Sequence, residues 1–153
     1  MKIGLISDTH GWLDPQILEH FEGVERILHA GDIGGWEILN SLYDIAPVTA
    51  VLGNTDFGLD CRETESVEIG DIHFFVHHIV NPHALEHSLA KSIQKREADV
   101  VIFGHTHKKF DETINGVRFI NPGYSGRPRY GVSRSIALLE LDSNGIHVEW
   151  IQM

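Results

Sequence analysis

The sequence predicts an α/β protein in which two β-sheets pack face to face with helices on their outer sides. Three observations carry that prediction. In the first half, short apolar runs alternate with stretches of helical spacing. In the second half, strand patterns follow one another across tight turns. No linker, repeat or low-complexity segment divides the 153 residues, so the chain reads as one domain, 1–153.

Ile3–Ile6 is a short apolar strand. Asp14–Pro15 starts a helix, with Asp as N-cap and Pro at the first helical position. Ile17, Leu18 and Phe21 form its buried face, and Gly23 stops it. Val24–Leu28 is the next strand. Gly34–Gly35 opens a second helix with Ile38, Leu39 and Leu42 on one side, and Pro47–Leu52 is a third strand. This β-α-β-α-β order implies parallel pairing through right-handed crossovers. The pattern then changes. Glu63–Ile69 and Ile72–Val76 flank a hairpin turn at Gly70–Asp71, and Asn81–Pro82 opens a helix carrying Leu85, Leu89 and Ile93. Val100–Phe103 is nearly all apolar, as a central strand should be. Two hairpins complete the chain: Phe110–Ile114 with Val117–Ile120 across Asn115–Gly116, and Ser135–Leu141 with Ile146–Ile151 across Asn144–Gly145.

Composition narrows the function. Hydrophobic content of 42% and charged content of 22% are those of a water-soluble globular chain. No apolar stretch approaches the ~18–20 residues of a membrane span. The N-terminus runs as a strand into Asp8 and has no signal-peptide pattern. A single Cys61 rules out an internal disulfide and fits a cytoplasmic setting. A formal charge of −10 argues against nucleic acid as a partner, since phosphate-tracking surfaces are basic.

Five apolar runs end in residues that can bind a metal. Asp8 and His10 follow Leu5–Ile6, Asp32 follows Leu28–Gly31, and Asn54 follows Val51–Gly53. His77 and His78 follow Phe75–Val76, while His105 and His107 follow Ile102–Gly104. Ligands of open α/β sheets bind beyond the carboxyl ends of the strands, so five such endings point to one assembled site. Asp8/His10 and His105/His107 are spaced i, i+2, and in extended backbone such pairs point the same way. Glycines before Asp32, Asn54 and His105 allow close backbone approach. Mixed carboxylate and imidazole donors suit transition metals better than Ca or Mg, and their number suits two ions.

Asp8–Thr9–His10, Gly31–Asp32, Gly53–Asn54, His77 and Gly104–His105–Thr106–His107, followed by Asn121–Pro122–Gly123, resemble the motif set of the calcineurin-like metallophosphoesterase superfamily. The short single-domain bacterial and archaeal phosphodiesterases are the branch they look most like. The resemblance implies a four-layer α-β-β-α sandwich. It implies two divalent ions (Mn, Zn, Fe, Ni or Co), one on Asp8, His10 and His107, the other on Asn54, His77 and His105, bridged by Asp32. Hydrolysis of a small-molecule phosphodiester by a metal-bridging hydroxide would follow, with Asp32, Asn54 and His77 central to catalysis. Relatives also suggest a homo-oligomer.

Two departures stand out. Many members of the superfamily place a His after the Gly-Asn pair, where this chain has Thr55 and then Asp56. His78 occupies a position usually held by Gly. It is a candidate proton donor or phosphate contact, although giving His77 the inward place turns His78 outward. Arg127 and Arg129 follow the Asn-Pro-Gly loop, and Arg129 is a candidate substrate contact. Trp12 and Trp36 are candidates to rim the site, with core packing as the default. His83 and His87 are spaced i, i+4 without a third ligand; His20, His29, His73 and His147 read as ordinary strand or surface residues. The competing functions are a metal-free interaction module of the same fold, as in the retromer subunit that resembles these enzymes, and a phosphomonoesterase.

Overall fold

A computed structural model describes all 153 residues. The strands are β1 (Lys2–Ile6), β2 (Arg26–His29), β3 (Val48–Ala50), β4 (Thr64–Ile69), β5 (Ile72–His77), β6 (Val100–Ile102), β7 (Phe110–Ile114), β8 (Val117–Asn121), β9 (Ser135–Asp142) and β10 (Gly145–Gln152). The helices are α1 (Pro15–His20), α2 (Trp36–Tyr43) and α3 (His87–Lys95). They build two five-stranded mixed sheets, ordered β10-β9-β1-β2-β3 and β4-β5-β6-β8-β7. In the first, β1, β2 and β3 are parallel and β9 runs antiparallel to β1. In the second, β5, β6 and β8 are parallel and both edge strands are antiparallel.

Strand alternation sorts the apolar residues into three layers. Ile3, Leu5 and Leu28 meet Phe74, Val76, Val100, Ile102 and Ile120 between the sheets. Ile6 and Ile27 face the other way, against Ile17 and Phe21 of the α1 region and Ile38 and Leu42 of α2. Phe75, Val101 and Phe119 pack outward against Ile93 of α3. Three apolar layers separate four layers of secondary structure, the α-β-β-α sandwich expected.

Three local expectations are corrected. The third helix begins at His87, not at Asn81–Pro82. Asn81 closes a single turn by accepting from Ala84 N–H (3.0 Å) before the chain extends again through Glu86. Val80 and Leu85 both reach the α3 layer, so the backbone folds back once between them. The last hairpin turns at Ser143–Asn144, because Gly145 pairs with Asp142. There the Asp142 carboxylate accepts from Asn144 N–H at 2.6 Å, an Asx turn that outcompetes the Asn-Gly pair. Val24 lies outside β2, buried among the helix-side residues.

Gly4, in the middle of β1, lies under Phe21. A Cβ there would sit 2.9 Å from two ring carbons. Gly4→Ala should therefore lower unfolding free energy by about 1–3 kcal/mol in urea titrations. An unchanged midpoint would mean that the ring moves aside freely.

Candidate metal centre

The carboxyl ends of β1, β2, β3, β5 and β6 converge on one edge of the sandwich, and each delivers donors. The approach is too close for side chains between them. A Cβ on Gly53 would collide with Oδ1 of Asp32, and one on Gly104 would collide with Oγ of Ser7. The two sheets are tied together here. His105 N–H donates to Asp8 Oδ2 (3.2 Å), and Ser125 Oγ donates to the Ser7 carbonyl (2.6 Å).

The donors do not aim by extended i, i+2 geometry, as the spacing predicted. Asp8, His10, Asp32, His105 and His107 have φ values of 57°, 47°, 52°, 68° and 59°. Each lies in the left-handed region that non-glycine residues rarely occupy, and such conformations gather at functional sites. The chain leaves each strand in a tight turn, and the turns direct the side chains.

Asp8 is fully buried. Its Oδ2 accepts from Ser7 Oγ (2.7 Å) and from His105 N–H, leaving Oδ1 3.3 Å from Nε2 of His107 and 3.9 Å from Nε2 of His10. Burial raises its pKa above the ordinary carboxylate value, against Ser7, His78 and His107, which lower it. Asp32 is also buried. Burial would raise its pKa, but bonds from Thr55 together with His78 and His10 outweigh that and lower it. Thr55 N–H holds Oδ1 at 2.9 Å, and Oδ2 faces both His10 and His78.

The structure reverses the assignment of the adjacent histidines. His78 points into the cluster, its Nε2 3.3 Å from Asp32 Oδ2 and 4.0 Å from Asp8 Oδ1. His77, predicted as a ligand, faces the opposite way, its Nδ1 2.8 Å from Thr64 Oγ1. Phe74 and Val76 fill the space between the sheets, and His78 continues their side; His77 continues that of Phe75. Ile72, Phe74 and Val76 form the wholly apolar side of β5, while His73, Phe75 and His77 share the other, so strand parity points to His78 as the inward residue. The expectation that His78 turns outward is corrected with it.

Metal ions fit this site on chemical grounds. Nδ1 of His78 lies 2.6 Å from the Ala30 carbonyl, so a neutral ring carries its proton there and leaves Nε2 a lone pair. That nitrogen is 3.1 Å from Asn54 Oδ1, which is also 3.0 Å from Nδ1 of His105. The lone pairs of His78 Nε2 and Asn54 Oδ1 facing at such a distance repel unless a cation lies between them. Asp8 Oδ1 and His10 Nε2 are buried with no hydrogen-bond partner, and buried polar atoms are almost always paired. Two donor groups emerge: Asp8, His10 and His107; and Asp8, Asp32 and His78. Asn54 and His105 are exposed, so the cluster opens to solvent on their side.

Tyr124, and the supporting roles of Asp56 and Asn121, are not foreseen from sequence. Tyr124 is fully buried, its ring 4.8 Å from that of His107 and 6.2 Å from that of His10. Asp56 accepts from the N–H groups of Ile33, Gly34 and Gly53, tying the β2 and β3 loops together. Asn121 donates to the Gly104 carbonyl (2.9 Å) and to Thr106 Oγ1 (3.1 Å), bracing the His105–His107 turn. The three N–H groups that Asp56 joins come from loops distant in sequence, and nothing in the sequence marks Tyr124.

Other candidates fall outside the cluster. Arg129 stacks 5.2 Å above the Tyr124 ring. Trp12 lies beneath Arg134 (4.9 Å), and Trp36 is 60% exposed, so neither is a core residue. His83 pairs with Glu112 at 3.0 Å on the surface. Burial raises the pKa of Cys61, the opposite of an activated thiol.

An α-β-β-α sandwich with aspartates, histidines and an asparagine gathered at its strand ends defines a metal-binding class of hydrolase fold. The chain belongs to the calcineurin-like phosphoesterase superfamily, whose domain model matches residues 1–144. A "Probable metallophosphoesterase" of Methanocaldococcus jannaschii is 38% identical over 136 residues, covering 84% of this chain and 70% of the relative. A "Phosphodiesterase" of the same organism is 34% identical over 158 residues, covering 86% and 92%. A solved structure described as a novel archaeal phosphodiesterase superposes over 100% of both chains, at a TM-score of 0.78 and 28% identity. Vps29 from Entamoeba histolytica, solved with zinc, shares the fold at a TM-score of 0.77 and 24% identity over 99% of both chains. No helix is long and apolar enough to cross a membrane.

His29, read from sequence as unremarkable, is fully buried beneath the site. It accepts from Gly31 N–H at Nδ1 (3.2 Å), and its Nε2–H faces Thr9 Oγ1 (2.9 Å). Burial pushes its pKa down to about 3. In the unfolded chain it takes up a proton near pH ~6.5. Between those values the unfolded state binds more protons, so stability falls as pH drops through the window, by about 1.4 kcal/mol per unit. By pH ~5, wild type should have lost about 2 kcal/mol more than His29→Gln relative to neutral pH. Parallel curves in denaturant titrations would rule this out.

Proposed function

We propose that this protein is a phosphodiesterase that works through two divalent transition-metal ions. In this reading Asp8, His10 and His107 hold one ion, Asn54, His78 and His105 hold the other, and Asp32 is shared. The observation that carries it is the position of Asp32 Oδ2, 3.6 Å from Nε2 of His10 and 3.3 Å from Nε2 of His78. One carboxylate oxygen thus stands between two imidazole groups that belong to different sheets. Two bound ions would supply a phosphate clamp and a water of lowered pKa. The archaeal relatives named as phosphodiesterases support a diester substrate.

The chain's own residues set the electrostatics. Asn54 would contribute a neutral oxygen, leaving a bound ion more electrophilic than a carboxylate ligand would. The low pKa of Asp32 keeps that carboxylate ionised as a ligand. Arg129, stacked on Tyr124 beside His107, supplies a charge-assisted contact for a phosphoryl oxygen. The small phosphoester enters from the exposed Asn54 and His105 side.

Asp32→Asn should lower metal-dependent hydrolysis of an aryl phosphodiester by more than about 100-fold. Near-wild-type turnover would defeat the dinuclear scheme. His78→Ala should bind about one ion fewer per chain by elemental analysis, and His77→Ala should retain both. The reverse pattern would return the ligand role to His77.

No histidine is left free to protonate a departing group. Thr55 replaces the usual His and spends its N–H on Asp32, while His78 and His105 both face Asn54 Oδ1. General acids contribute ~10²–10⁴-fold, so rates should drop steeply as the leaving-group pKa rises, favouring aryl over alkyl diesters. A flat dependence across graded leaving groups would reveal another acid.

A further inference from the structure

The donor cluster stands between surfaces of opposite charge. Beside Asn54 and His78, a cleft of about 390 Å³ is bordered by Asp56 and Glu63. Beside His107, a cleft of about 600 Å³ is lined by Lys108, Lys109, Ser133, Ser135 and Gln152, with no carboxylate in its wall. The adjoining segment 122–139 contains Arg127, Arg129 and Arg134 and no Asp or Glu, in a chain whose net charge is −10.

Arg62, Arg118 and Arg134 are paired, with Glu65, Asp111 and Asp14, whereas Lys2, Arg26, Lys91, Lys95 and Arg96 lie unpaired elsewhere on the surface. Lys108, Arg127 and Arg129 form no ion pair, and Lys109 bonds only the neutral Gln152 (3.1 Å). Arg129 approaches the same flank through Tyr124, whose ring lies against His107. Four cations without an acidic partner along one rim of the donor cluster create a local positive field there in an otherwise acidic protein. The ring of His107 is a wall of this cleft and also one of the first group of metal donors, so a ligand in the cleft is in reach of the reacting phosphate.

We infer that the cleft beside His107 binds a second, anionic phosphoryl group carried by one arm of the diester substrate. The inference deepens the phosphodiesterase reading and rests on it. The acidic cleft on the opposite side then excludes that arm and fixes which ester points which way. Because the lysines are exposed, the preference weakens as salt rises.

Two chromogenic diesters test it: thymidine 5′-(p-nitrophenyl phosphate) and the same compound bearing a 3′-phosphate. Metal-loaded wild type should favour the phosphorylated diester in kcat/KM by about tenfold at low salt, the scale of one charge-assisted contact. The Lys108→Gln/Lys109→Gln variant should lose that preference and keep its rate on the neutral-armed diester. Equal rates for the two substrates in wild type would overturn the inference while leaving the diesterase reading intact. Binding to metal-free protein gives an independent measure. Thymidine 3′,5′-bisphosphate should shift the amide resonances of Gly131, Val132 and Ser133 in wild type and not in the double variant; no shift in wild type overturns the inference. Failure to hydrolyse either diester would instead strike at the diesterase reading, and the binding arm would still decide the subsite.

Discussion

Two carboxylates buried within reach of each other are the constraint on which the rest of this molecule turns. Ligand atoms of Asp8, Asp32 and His78 all lie within 4.8 Å. Gathering negative charge away from water is costly unless positive charge compensates it. The protein supplies little of that charge itself: His78 commits its proton to the Ala30 carbonyl, and no Lys or Arg pairs with either aspartate. Divalent cations are the compensation that the donor chemistry matches. The close glycines and the hydrogen bonds between the sheets then read as means of holding repelling groups in place.

Much of the architecture was legible because strand alternation and turn chemistry are local. The Gly70–Asp71 and Asn115–Gly116 turns fall where sequence puts them, with Ile69 opposite Ile72 and Ile114 opposite Val117. Errors arose where two local rules competed. Asp142 capped its own turn and moved the last hairpin by one residue, and Asn81–Pro82, a sound helix start, made one isolated turn instead.

The site was legible as a set of residue types and illegible in its aim. Glycine followed by Asp, Asn or His marked the right strand ends, because only glycine tolerates the approach of Asp32 to Gly53 or of Ser7 to Gly104. Which of His77 and His78 turned inward depended on strand parity, which Phe75 on the histidine-bearing face of β5 obscured. Left-handed turns at Asp8, His10, His105 and His107 are set by bonds between distant loops, such as His10 N–H to the Asp32 carbonyl (2.9 Å). Tyr124 and the tie made by Asp56 are tertiary facts of the same kind.

Those turns bear on how the protein acquires its ions. Backbone hydrogen bonds such as Asp8 N–H to Gly31 O (3.0 Å) and Gly11 N–H to Ile33 O (2.8 Å) shape the loops without help from any ligand. Small zinc domains, by contrast, are unfolded until loaded. Here three apolar layers stabilise the scaffold independently, so the loss of a bound ion should leave the fold standing and its donor loops in place.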